Sequence, residues 1–245
     1  MEAYALTDVG QKRSMNQDSV YARTKSIGSL ENLFIVADGM GGHQAGDFAS
    51  HFVVGNLVRF FETPYPERDV HGILKEGIRK VNRDLYECTS RDPKLNGAGS
   101  TLVLATIKGS VLYVANIGDS RLYLLREALE QITKDHSYVE ELVAMGKLKR
   151  GSRDYLEKKN IITRAVSAQV DTDLFALKLK SGDQILMCSD GLSNMVDELE
   201  IEYIIRSEDG VESRAKALVD AANRSGGLDN ISVVLVEPQI SEVSL

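Results

Sequence analysis

Leu33-Phe34-Ile35-Val36-Ala37-Asp38-Gly39-Met40-Gly41-Gly42-His43 carries an unbroken apolar run straight into an acid and a cluster of glycines. Five apolar residues in a row, three of them aromatic or β-branched, read as a short strand that should be buried. The arrangement recurs. Ile185-Leu186-Met187-Cys188-Ser189 runs into Asp190-Gly191, the strand-like residues 111–117 run into Gly118-Asp119, and Asp229-Asn230 stands directly before residues 231–236. If these strands pack together, their ends can gather several carboxylates in one cleft.

Close carboxylates repel one another unless they are protonated or neutralised by a cation. Hard oxygen donors without clustered His or Cys suit Mg²⁺ or Mn²⁺. The glycines beside Asp38 and Asp190 allow a tight turn and could leave a backbone carbonyl free as a further ligand. Asp-Gly is also a common turn dipeptide, and for any single aspartate a plain turn is the simpler account. Four of them beside strand-like runs shift the balance toward a shared site, although turn chemistry alone still stands as an explanation at this point.

Outward from that stretch, residues 2–7 and 19–24 also read as strands. Ala49, Phe52, Val53, Leu57, Phe60 and Phe61 then recur at three- and four-residue steps, the stripe of an amphipathic helix, which Pro64 and Pro66 end. Val70, Ile73, Leu74, Ile78, Val81 and Leu85 predict a second helix. Residues 101–107, 111–117 and 121–125 are rich in β-branched and apolar residues, and the intervening Lys108-Gly109 and Gly118-Asp119 predict hairpin-linked antiparallel strands. A polar stretch, 135–160, is expected to be helical around residues 138–145 and then irregular. Strands resume at 174–179 and 185–188, a helix carries Val211, Ala215, Leu218, Val219 and Ala222, and residues 231–236 form the last strand. Strands outnumber helices, and the helices cluster instead of alternating with them. This favours antiparallel sheets covered by helix pairs over a doubly wound parallel sheet, without choosing between one sheet and two.

The 245 residues are 43% hydrophobic and 27% charged, ordinary values for a globular chain able to bury a sizeable core. No linker, repeat or low-complexity tract divides it, so a single domain over residues 1–240 with a short polar tail, 241–245, is expected. The formal charge of −7 argues against coating nucleic acid or an anionic membrane. Bound cations can still reverse the sign of a local site, so anionic substrates remain open. Cys88 and Cys188 are too few and too isolated for a disulfide framework. No signal peptide, lipidation signal or membrane-length apolar run is visible, and a soluble cytoplasmic protein is expected.

Taken together, the segments resemble the protein phosphatase 2C family of metal-dependent Ser/Thr protein phosphatases, and most of all its compact bacterial branch. Arg13-Ser14-Met15-Asn16-Gln17-Asp18 is similar to the first family motif, and Val36-Ala37-Asp38-Gly39-Met40-Gly41-Gly42-His43 to the second. Gly97-Ala98-Gly99-Ser100-Thr101, Asn116-Ile117-Gly118-Asp119-Ser120-Arg121, Thr133-Lys134-Asp135-His136-Ser137, Cys188-Ser189-Asp190-Gly191-Leu192 and Gly226-Gly227-Leu228-Asp229-Asn230 follow in family order. One Asp-Gly pair means little, but the ordered set, spread from residue 7 to residue 236, is specific.

The resemblance implies an α+β fold, two stacked antiparallel sheets flanked by helix pairs in an α-β-β-α sandwich. It implies a signalling enzyme, a phosphoric monoester hydrolase acting on phosphoserine and phosphothreonine, with phosphoprotein substrates, among them a Ser/Thr protein kinase and its targets, and a monomeric state. Asp38 would bridge two metal ions, Mn²⁺ or Mg²⁺, with the Gly39 carbonyl, Asp190 and Asp229 completing the ligands. Asp119 would share a weaker third ion with Asp190, and Asp18 would hydrogen-bond water on the ions. Arg13 would hold the phosphate, and His43 matches the position proposed as general acid. His51, His71 and His136 are expected on surfaces or in structural packing.

Some positions depart from the family pattern. Leu156-Glu157-Lys158-Lys159 stands where many bacterial members have His-Pro, Ala165-Val166-Ser167 replaces Ala-Leu-Gly, and Ser100 stands where threonine is common. None removes an implied ligand. Residues 146–160, the implied flap, carry Lys147, Lys149, Arg150, Arg153, Lys158 and Lys159 against Asp154 and Glu157. Such a segment could steer anionic phosphoprotein or be a solvated loop, about evenly on charge patterning alone. Other phosphatase chemistries fit poorly. A thiol phosphatase needs arginine six places after its cysteine, where Lys94 and Asn194 stand. Asp171-Thr172-Asp173-Leu174-Phe175 lacks the aspartyl-phosphate pattern of haloacid dehalogenases, and there is no P-loop. The main rival is a catalytically silent, phosphoprotein-binding or regulatory domain of the same fold, with a metal-dependent phosphodiesterase behind it.

Overall fold

The structure is a computed structural model that describes residues 1–42, 44–65, 69–167, 171–207 and 209–240. The chain opens with strands β1 (Glu2–Asp8), β2 (Asp18–Arg23) and β3 (Leu33–Met40), followed by helices α1 (Ala45–Glu62) and α2 (Val70–Arg91). Strands β4 (Gly99–Ser100), β5 (Leu102–Lys108), β6 (Val111–Ile117), β7 (Arg121–Leu125) and β8 (Leu129–Gln131) come next. Short helices α3 (Tyr138–Ala144) and α4 (Arg153–Lys158) lead into β9 (Asp173–Lys178) and β10 (Gln184–Cys188). Helices α5 (Asp190–Ser193), α6 (Glu198–Ile205) and α7 (Val211–Arg224) precede the last strand, β11 (Ile231–Glu237).

These strands make two antiparallel sheets. One has the order β1-β11-β10-β7-β8; the other has β2-β3-β5-β6-β9, with β4 added beside β3. The apolar run that opened the reading explains the layering. Leu33, Ile35 and Ala37 pack under α1 and α2, whereas Phe34 and Val36, one step out of phase, pack into the space between the sheets. Strand side chains alternate between faces, so a strand with both faces covered must be apolar throughout. On the other sheet, Leu186, Val233 and Leu235 face α6 and α7, while Ile185, Met187, Val234 and Val236 close the inter-sheet core. The expected α-β-β-α sandwich is what the chain forms.

Two expectations need correction, and one helix was missed. The strands at 111–117 and 121–125 are not a hairpin: β6 pairs with β5 and β9, whereas β7 pairs with β10 and β8 in the opposite sheet. Gly118 makes that exit possible. Its φ of +101° is open to glycine, and the Thr101 side chain occupies the space a Cβ would need. The stretch after residue 145 is not wholly irregular, because Ser152 caps the helix α4. Helix α6 carried no apolar stripe long enough to notice, since only Ile201 and Ile205 are buried along it. The expected tail, 241–245, lies outside the described residues. Among the described residues, no helix is long and apolar enough to cross a membrane.

Candidate active site

At one end of the inter-sheet space the apolar filling gives way to polar residues. Continuing the alternation past Phe34 and Val36 brings Asp38 to that face, and Asp18 is its direct partner across the β2–β3 ladder. Directly opposed like charges destabilise a sheet, so the pair requires a compensating reason. From the opposite sheet, Ser189 donates to Asp18 Oδ2 at 2.7 Å, and Ser189 in turn accepts from the Ser232 backbone N–H at 3.0 Å. Both serines sit where strands β10 and β11 run out of apolar residues.

The backbone at Asp38 is held from two sides. Its N–H donates to Thr101 Oγ1 at 2.9 Å, and its carbonyl accepts from the Thr101 N–H at 2.8 Å. Gly39 follows with no room for a side chain, because a Cβ would strike the carbonyls of Gly46 and Gln17. Asp119 enters on the Gly118 turn where the chain changes sheets. His136 braces that turn: its Nδ1 accepts from the Gly118 N–H at 3.1 Å, and its own N–H donates to the Gly118 carbonyl at 2.9 Å. With Nδ1 accepting, the ring proton lies on Nε2 and meets Asp173 Oδ2 at 3.1 Å. Asp190 begins helix α5, and Asn194, one turn on, donates to its Oδ2 at 2.9 Å. Asp229 accepts from the Asn230 N–H at 2.8 Å and from Arg13 Nη2 at 2.8 Å.

The electrostatics show that these acids share one environment. Asp38 is half-buried at its surface but lies among protein atoms, and its carboxyl is pushed well above the ordinary aspartate range. Burial is the first cause, followed by the charges of Asp18, Asp190, Asp119 and Asp229. Asp18 is pushed up to about 7, chiefly by burial and further by Asp190 and Asp229, against the hydrogen bonds of Ser232 and Ser189. Burial and Asp190 push Asp119 up to about 7. Asp190 rises to about 6 through burial and Asp229, with Lys159, Arg121 and Arg13 opposing. Asp18, Asp38, Asp119 and Asp190 cannot all ionise beside one another without a counter-charge.

The residues fit divalent cations. Oδ1 of Asp18, of Asp119 and of Asp190 are buried without a hydrogen-bond partner, and such oxygens are costly unless something positive meets them. The donors are all hard oxygens. Among the described residues no three acidic, His or Cys side chains form a closed cage around one point. Mg²⁺ is usually held by one or two carboxylates, with waters completing its shell. A cavity of about 180 Å³ lies beside Asp119 and Asp190, lined also by Arg121, Asp135, Tyr155 and Lys159.

A family model described as Protein phosphatase 2C matches residues 9–224. The chain belongs to the protein phosphatase 2C family. Its relatives include the serine/threonine phosphatase stp of Listeria monocytogenes, 38% identical over 99% of this chain and 98% of that one. The solved structure of the Streptococcus agalactiae serine/threonine phosphatase superposes with a TM-score of 0.89 at 35% identity, covering 96% of this chain and 98% of that one. A catalytic domain of the serine threonine protein phosphatase PstP, solved in complex with two manganese ions, matches at 36% identity with a TM-score of 0.83 over 96% of each chain.

In this protein phosphatase 2C chain, Asp18, Asp38, Gly39, Asp119, Asp190 and Asp229 gather at one end of the sandwich, and Arg13 reaches the same place. The loop that carries Arg13 is clamped by Asn230, whose side chain bonds the Gln17 N–H and the carbonyls of Val9 and Met15. His43 lies outside the described residues. His136 is buried and structural, His71 is half-buried against Tyr113, and His51 is exposed. Ser189, Ser232 and Asn194 were not singled out from the sequence, and Lys159 was read only as one of the basic flap residues, whereas it bonds Asn194. Strand alternation could have flagged the two serines, and the four-residue spacing from Asp190 could have flagged Asn194.

Proposed function

We propose that this chain is a divalent-metal-dependent protein serine/threonine phosphatase that hydrolyses phosphoserine and phosphothreonine by direct attack of water. The observation that carries the reading is the convergence of five aspartates, three with an unpaired buried oxygen, in a chain of this family. Asp38, the Gly39 carbonyl, Asp190 and Asp229 would hold two ions, and Asp119 with Asp190 a weaker third. Mn²⁺ and Mg²⁺ both suit these donors. When bound, such ions supply a water acidified toward neutral pH, so that no side-chain base is required.

The remaining steps belong to the chain. Asp18, fixed through Oδ2 by Ser189, keeps Oδ1 buried and unpaired, the atom with which it would orient water. Arg13 exchanges its Asp229 contact for the phosphate oxygens, which its planar fork fits. Water oxygen bonds to phosphorus as the bond to the Ser or Thr oxygen breaks in line, with no phosphoenzyme. The departing oxygen takes a proton from His43. We assign the protein to the cytoplasm as a monomer acting on phosphoproteins that include a Ser/Thr kinase and its targets. A silent domain would be expected to lack one of the carboxylates, and all five are present. The isosteric substitution Asp38→Asn keeps the shape and removes the central charge. Purified Asp38→Asn should lose nearly all kcat on a phosphothreonine peptide at saturating Mn²⁺; near-native kcat would place the catalytic centre elsewhere.

A further inference from the structure

Asp190 is tied to the segment between α3 and β9 by two consecutive hydrogen bonds. Lys159, directly after α4, donates from Nζ to Asn194 Oδ1 at 2.8 Å, and Asn194 Nδ2 donates to Asp190 Oδ2 at 2.9 Å. The polarity of this chain is forced. An ammonium has only protons to offer, so it selects the amide oxygen and leaves the amide NH₂ pointing at the carboxylate. Asp190 Oδ2 is thereby satisfied, while Oδ1 stays buried and without a partner, on a carboxylate that feels the charge of Asp229. We infer that Asn194, oriented by Lys159, is a positioning residue that holds the Asp190 carboxylate in one rotation and presents Oδ1 to a cation. This rests on the metal-site reading above.

Lys159 has a second, opposite influence. It lies close enough for its charge to act on Asp190 directly, and a positive charge beside a cation site weakens cation binding. The two roles predict opposite signs. If Lys159 acts only as a charge, its removal tightens Mn²⁺. If it acts through Asn194, its removal leaves the amide oxygen without its donor and the side chain free to swing away from Oδ2, so the carboxylate is held less firmly and Mn²⁺ binding weakens.

Mn²⁺ titration of the whole protein by calorimetry separates these outcomes, with Lys159→Met, Lys159→Arg, Asn194→Leu, the Lys159→Met/Asn194→Leu double variant and Asp190→Ala. Removing a group that orients a ligand from behind costs about 10- to 100-fold in metal affinity. Asn194→Leu should fall in that range at the Asp190-dependent site, Lys159→Met should weaken binding by a smaller factor, and Lys159→Arg should restore it. In the Asn194→Leu background, Lys159→Met should no longer weaken binding, because nothing is left to orient. Tighter Mn²⁺ binding by Lys159→Met alone, or unchanged affinity in Asn194→Leu, overturns the proposal. Asp190→Ala tells the two levels apart. If it leaves Mn²⁺ binding intact, the metal-site reading fails; if it weakens binding while Asn194→Leu does not, only the positioning role fails.

Discussion

Asp18 and Asp38 stand directly opposite each other across the β2–β3 ladder, on the face that closes against the second sheet. A fold selected for stability alone would not place two acids there, since like charges opposed across a sheet cost up to about 1 kcal/mol. Asp38→Asn should therefore melt at a higher temperature than wild type in EDTA, by on the order of 1 kcal/mol in unfolding free energy, even as catalysis is lost. Thermal unfolding of both proteins without metal checks this, and a destabilised variant would count against the repulsion.

The pH dependence of the metal-free protein follows from the same crowding. Asp18 and Asp119 rise to about 7 and Asp190 to about 6, from an ordinary value of 3.8. A carboxyl whose folded value is raised binds more protons in the folded state than in the unfolded one, so stability falls as pH rises. The contribution is fully present below pH about 4 and lost as pH passes through about 6 to 7. In EDTA the melting temperature should fall across that window, and saturating Mn²⁺ should remove most of the fall. A metal-free protein that grows steadily more stable from pH 5 to pH 8 would contradict the shifts.

Arg13 pairs with Asp229 across an exposed surface, so that contact adds little to stability. Its importance lies in substrate binding. Arg13→Ala should raise KM for a phosphopeptide by the loss of a charged hydrogen bond, about 1.5–3 kcal/mol, while Mn²⁺ affinity holds or increases slightly. Lost metal binding with intact phosphate affinity would reverse the assignment.

The third site separates from the other two through Asp119. Asp119→Ala should keep two tight ions and lose turnover on a phosphopeptide, because one carboxylate of the weak site is gone. Its turn is held independently by His136 and Gly118, so the variant should fold. Calorimetric metal titration beside a phosphopeptide assay gives the answer, and full turnover would remove the role.

Much of this was legible in the sequence because buried strands are apolar on both faces and show where they stop. The run Leu33-Phe34-Ile35-Val36-Ala37 located both the core and the acid at its edge, and the Asp190, Asp119 and Asp229 positions followed by the same logic. The sheet change at Gly118 was not legible, since a turn dipeptide looks alike whether it closes a hairpin or sends the chain to another sheet. The roles of Ser189, Ser232, Asn194 and Lys159 were hidden for a different reason. Alternation and the four-residue step from Asp190 could mark the positions of the serines and Asn194, but not their partners, which for Ser189 and Lys159 lie 171 and 35 residues away at Asp18 and Asn194. Helix α6 escaped because two buried isoleucines are too few to set a period.

The central claim is that these aspartates make a metal-dependent phosphomonoesterase for phosphoproteins. The most direct measurement is phosphate release from a phosphothreonine peptide by the purified wild-type chain, with Mn²⁺ titrated in and then withdrawn by EDTA. Release should rise with Mn²⁺, be supported also by Mg²⁺, and stop in excess EDTA. Undiminished turnover in metal-free buffer, or no release by a folded protein with its ions bound, would contradict the account.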